Sequence, residues 1–283
     1  MMTARGVGWG LMALAVGLAA NAVLGPLATG TIAYRYGSPM VGQGIAVDAV
    51  ALFLVAPAAV LAAVLTLRGQ VAGPVLGTGP AAFAVYMVPQ YVIGPEYGRL
   101  PGNNERFLPF HLALFVLAAV LLVASLARRE ALPPDDRRSD RRRAWILFGV
   151  AAFVLIRWLP GLAALVSAST PDAAYTDNPT AYLVIALLDL GLVVPACVAV
   201  AFALRRGAAW ARRSAYALIG WFATVPVSVA AMAVTAVVRE DPQADRGGAI
   251  GLVAVALAFL VVAVLLYRPL LTRRTEERVP VAA

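Results

Sequence analysis

A chain of 283 residues that is 61% hydrophobic and 13% charged, with mean hydropathy +0.82, is not a water-soluble fold. Soluble domains carry nearer a quarter charged residues, and a globule of this size could not hide so much apolar surface. The net charge of +8 would suggest nucleic acid in a soluble protein. Here it reads as basic residues flanking membrane spans, so no nucleic-acid partner is expected.

Every basic residue is Arg and none is Lys. A Walker A loop needs its Lys and a retinal Schiff base needs a Lys amine, so both are excluded. The single Cys197 excludes an intrachain disulfide or CxxC site. The single His111 excludes a His-rich metal cluster of the zincin type. No metal and no cofactor are expected.

A bilayer core takes about 20 apolar residues per helix. In chain order the apolar runs predict spans at Val7–Tyr34, Ile45–Leu67, Val71–Ile93, Leu108–Leu126, Ala144–Ser167, Ala181–Leu204, Ala215–Val238 and Ala249–Tyr267. The first carries Ala20-Asn21-Ala22, which looks like a signal-peptide cleavage site. Its apolar run continues to about Ala33, which favours an uncleaved helix. The third is the least regular, with Pro74, Pro80 and Pro89; membrane helices tolerate Pro where neighbours satisfy the freed carbonyls. The expected fold is therefore all-α: a polytopic transmembrane bundle of eight spans in the plasma membrane.

Orientation follows from the Arg residues in the connections. With both termini cytoplasmic, about 17 Arg lie inside and about 5 outside. The stretch RREALPPDDRRSDRRR divides the chain into residues 1–127, an Arg-rich cytoplasmic loop 128–143, and residues 144–283. Anionic lipid headgroups are the expected partners of such Arg-rich segments. Each half has four spans, and the second span of each has a related pattern. One reads Asp48, then Pro57, then Arg68-Gly69; the other reads Asp189, then Pro195, then Arg206-Gly207. This suggests a parallel 4+4 internal repeat.

Ionisable groups inside spans are expensive and point to function. Arg157 lies roughly 14 Å and Asp189 roughly 12 Å below the outer ends of consecutive spans, at about 1.5 Å per residue. Opposite charges at matching depth predict an ion pair, either pinning two helices or lining a ligand cavity. Asp48, Tyr86, Gln90, Tyr91, Asn104 and His111 all fall in the extracytoplasmic half. The expectation is one outer cavity that holds Asp48, Tyr86, Gln90, His111 and Asp189. Asp48 could instead cap its helix start, and Tyr belongs to interfacial belts.

Asp135-Asp136-Arg-Arg-Ser-Asp140 superficially resembles the aspartate-rich diphosphate sites of membrane prenyltransferases. Among so many Arg it reads better as a solvated loop facing anionic lipid. A GxSxG elbow is absent. Gly44-IAV-Asp48 with Pro57 and Arg68-Gly69, Tyr86-MVPQ-Tyr91, Asn104-Glu-Arg-Phe107-Leu-Pro-Phe-His111 and Leu188-Asp189-LGLVV-Pro195 together resemble a widespread, uncharacterised family of eight-helix bacterial membrane proteins of actinobacterial type. Val47 and Gln90 depart from its usual residues, and the resemblance implies no activity. The leading functional expectation is an outer cavity that binds or moves a small polar solute, ion or lipid headgroup. The alternatives are an intramembrane enzyme on a lipid-linked substrate, with Asp48 and His111 as acid and base, and a non-catalytic membrane partner or scaffold.

Overall fold

The computed structural model describes residues 2–128, 132, 137–241 and 244–272, and they form helices and turns without a strand. Helix α1 is Ala4–Leu24, started by the Thr3 hydroxyl, which accepts a hydrogen bond from the Gly6 amide. Its inward stripe of Val7, Leu11, Leu14 and Leu18 ends in a polar residue, Asn21. The helix stops there, before Gly25, and not at Tyr34 as the apolar run suggested. Residues 25–37 turn back over the bundle instead.

Helix α2 (Ser38–Leu67) and helix α7 (Pro179–Arg205) are built alike. Each contains one π turn, Ala51–Val55 in α2 and Asp189–Val193 in α7. Each π turn is followed at the same spacing by a proline, Pro57 or Pro195. A proline removes one amide and crowds the carbonyl four residues back, and the wider turn absorbs that misfit. Each helix then ends on a glycine at φ +73°, Gly69 or Gly207, where only glycine is unstrained. At both ends the amide after the glycine bonds back to the last turn, Gln70 to Leu65 and Ala208 to Ala203.

Helix α3 (Ala72–Ile93) is followed by α4 (Leu108–Leu126), which a 3₁₀ turn at Asn104–Phe107 introduces. Then come α5 (Arg137–Val166), the short α6 (Ala173–Asp177), α7, α8 (Ala211–Val238) and α9 (Arg246–Thr272). Among the described residues 7 helices are long and apolar enough to cross a membrane, and α3 is not one of them. Its glycines, prolines and hydroxyl side chains lower its hydropathy. The packing explains why this is tolerated. Helix α3 lies at the centre, against α2, α4 and α8, and needs little lipid-compatible surface. Gly79 and Gly220 let the α3 and α8 backbones meet closely.

Helices α1 with α2, and α5 with α7, form matching pairs, as do α3 with α4 and α8 with α9. The remaining contacts are unequal: α2 packs on α3 more extensively than α7 packs on α8. Helix α1 packs on α4 in the first half, whereas α5 and α9 do not pack together to a comparable extent. The second half is therefore splayed.

At the Arg-rich end, Asp140 is buried inside α5 rather than solvated in a loop. The Arg212 guanidinium grips it through Nε and Nη2 at 2.9 and 2.7 Å, and Arg143 adds a contact at 3.5 Å. Arg143 also donates to the Tyr216 hydroxyl at 2.8 Å. A carboxylate with fork-shaped partners can be buried where a lone one cannot. Asp135 and Asp136 lie outside the described residues.

Candidate functional site

The two intramembrane aspartates occupy different settings. Asp48 sits in the third turn of α2, so it does not cap the helix, and it is fully buried. The Tyr34 hydroxyl donates to its Oδ2 at 2.7 Å and the Tyr91 hydroxyl to its Oδ1 at 2.8 Å. The Asn21 amide nitrogen adds 3.2 Å to Oδ1. All of these donors are neutral. Tyr34, in the 25–37 segment, has its phenol pushed well above the ordinary range, first by burial and then by the Asp48 charge. It therefore stays protonated and a donor.

His111 does not touch Asp48. Its Nε2 meets the Asn21 side-chain oxygen at 2.9 Å. Because the Asn21 nitrogen faces Asp48, its oxygen faces the ring, which must then donate from Nε2. Nδ1 is buried and has no hydrogen-bond partner among the described residues. The ring stacks on Tyr91 at 5.7 Å. Asn21 is thus a relay between the carboxylate and the only imidazole.

Asn104 holds the lid of this network rather than a ligand. Its oxygen accepts the Arg35 amide at 2.8 Å and its nitrogen donates to the Tyr91 carbonyl at 3.3 Å. Beside it Arg35 forks onto Glu105 at 2.6 and 3.0 Å, and the Glu105 hydrogen bond raises the Arg35 pKa. These contacts clamp residues 33–35 over Asp48, and the wall of the cavity at Arg157 and Asp189 does not include Asp48, Asn104 or His111. The expected single cavity is therefore two separate sites.

Asp189 opens the π turn of α7 and does face a cavity. The Tyr86 hydroxyl donates to Oδ1 at 2.7 Å and the Trp158 indole to Oδ2 at 2.8 Å. Arg157 reaches Oδ2 at 3.4 Å, so the expected ion pair exists. It is lopsided: the Asp189 side chain is 9% exposed and that of Arg157 59%. Arg157 lies over the Trp158 ring at 5.4 Å, and Asp189 is its only hydrogen-bond partner among the described residues. That contact engages one of the five N–H donors of a guanidinium.

The cavity measures about 210 Å³ and is walled by parts of α2, α3, α5, α7 and α8 away from the Arg-rich end. Tyr86, Gln90, Tyr91, Arg157 and Asp189 line it, among Met40, Met87, Phe83, Phe153, Phe222 and Met232. Gln90 turns its amide to the Tyr86 carbonyl at 3.2 Å. Helix α3 serves both aspartates: Tyr91 bonds Asp48 and Tyr86 bonds Asp189. Sequence reasoning missed Asn21, Tyr34 and Trp158. Only Asn21 carried a signal, as an amide near the end of an apolar run.

No group of three or more His, Cys, Asp or Glu side chains placed to hold a metal occurs among the described residues. The length and apolarity of the helices make the chain an integral, multi-pass membrane protein. No family model, no curated protein and no solved structure matches it.

Proposed function

We propose that this is an eight-span protein of the plasma membrane, with both termini cytoplasmic, that binds an anionic group in an extracytoplasmic cavity at Arg157. The observation that carries the reading is the imbalance of the ion pair. Asp189 is satisfied by three donors, whereas Arg157 is 59% exposed with one long contact. A cation at that depth costs at least about 2.5 kcal/mol without partners. An anion in the cavity would supply them.

Helix α3, at 22 residues and about 33 Å, is long enough to be the eighth span, shielded from lipid by its neighbours. The Arg asymmetry supports the orientation. The matched π turns, prolines and glycines of α2 and α7 support a parallel 4+4 repeat. The exposed Arg205, Arg206 and Trp210 near the Arg-rich end support contact with anionic lipid headgroups. The acid–base reading of Asp48 and His111 has no support in the geometry, since neither lines the cavity and Asn21 stands between them. The test is mass spectrometry of the gently purified protein. Wild type should retain a near-stoichiometric anionic molecule that Arg157→Gln loses; equal retention by both would contradict the reading.

A further inference from the structure

Below the outer cavity lies a second chamber of about 250 Å³, between α3, α4, α7 and α8. Its wall is hydrocarbon, with Ala82, Val85, Leu122, Ala196 and Leu218 among the residues that form it. Tyr86 and Trp221 line both spaces, with ring centroids 5.1 Å apart. Both rings thus border the two spaces. The Trp221 indole nitrogen is buried and has no hydrogen-bond partner among the described residues. An apolar chamber of this kind takes hydrocarbon in preference to water.

We propose that the ligand is an anionic amphiphile from the bilayer, whose hydrocarbon tail passes the Tyr86–Trp221 pair into this chamber. The inference rests on the anion reading of Arg157 and adds the chemical class of the ligand. The head would lie against Arg157, in the outer cavity. The tail would run toward the cytoplasmic side, as chains of outer-leaflet lipids do. A small polar solute or a free ion would have no use for the second chamber.

The test uses the full chain in phosphatidylcholine nanodiscs. Binding of inorganic phosphate, butyl phosphate and dodecyl phosphate is measured, with uptake by protein-free discs subtracted. Dodecyl phosphate should bind at least about tenfold more tightly than butyl phosphate, because added methylenes leave water. Ala82→Phe and, independently, Ala196→Phe should erase that difference and leave butyl phosphate unchanged. Both positions are only partly buried, so the fold has room to accept them. No chain-length dependence, or one that both substitutions leave intact, overturns the tail chamber. In that case loss of butyl phosphate binding in Arg157→Gln keeps the anion reading alive. Failure of wild type to bind any of the three probes overturns both.

Discussion

The first half of the molecule hides its aspartate and the second half displays one. Both halves use the same frame: a helix with a π turn, a proline and a terminal glycine, bonded by a phenol of α3. The outcomes differ for two physical reasons. In the first half α1 closes on α4, and the 25–37 segment folds back to bring Tyr34 onto Asp48. In the second half α5 and α9 pack together less, and the third polar partner is a long, exposed Arg rather than a buried Tyr. A sealed carboxylate surrounded by neutral donors holds helices together. One beside an exposed guanidinium sits at a door.

The sharpest way to break this contrast is to remove each aspartate. Asp48→Ala strands Tyr34, Tyr91 and Asn21 in a dry core and should cost about 3–5 kcal/mol. Asp189→Ala strands two donors and takes only one long contact from Arg157, and should cost about 2–3 kcal/mol. Reversible unfolding in mixed detergent micelles reads both. Equal costs would mean that the two sites are alike.

The relay comes next. Asn21→Ala should cost about 1–2 kcal/mol, since it leaves Asp48 two donors and the His111 Nε2–H without its acceptor. It should leave ligand retention at Arg157 unchanged. Loss of retention would join the two sites that the geometry separates.

Arg157→Ala is expected to have the smallest effect on stability, about 0–1 kcal/mol, because it removes one long contact and leaves Asp189 its two shorter donors. A larger cost would make Arg157 a brace. The orientation can be checked with cysteines placed by Ser139→Cys and Ser169→Cys in a Cys197→Ala background. Only the second should react with an impermeant thiol reagent in intact cells. The reverse pattern would turn the cavity toward the cytoplasm.

Depth is legible in the sequence, and azimuth is not. Counting residues along spans five and six places Arg157 and Asp189 at one level, and they meet at 3.4 Å. Sharing the same half also suggests that Asp48 and His111 join them in one cavity, although each belongs elsewhere. A π turn inserts an extra residue and so rotates the rest of the helix; neither α2 nor α7 announces one except through its proline. Tyr34 reads as the tail of a span because apolar runs do not show where a backbone turns back. Trp158 reads as apolar filling, yet its indole N–H makes a shorter bond to Asp189 than Arg157 does. The Tyr86-MVPQ-Tyr91 motif stands out in the sequence, but nothing there shows that it divides its phenols between the halves.

The most direct test is an experimental density map of the protein purified with its native lipids. The expected result is elongated density in the outer cavity, with a polar end within hydrogen-bond reach of the Arg157 guanidinium and no density beside Asp48. An empty outer cavity, with Arg157 turned away toward the membrane surface, would contradict the account.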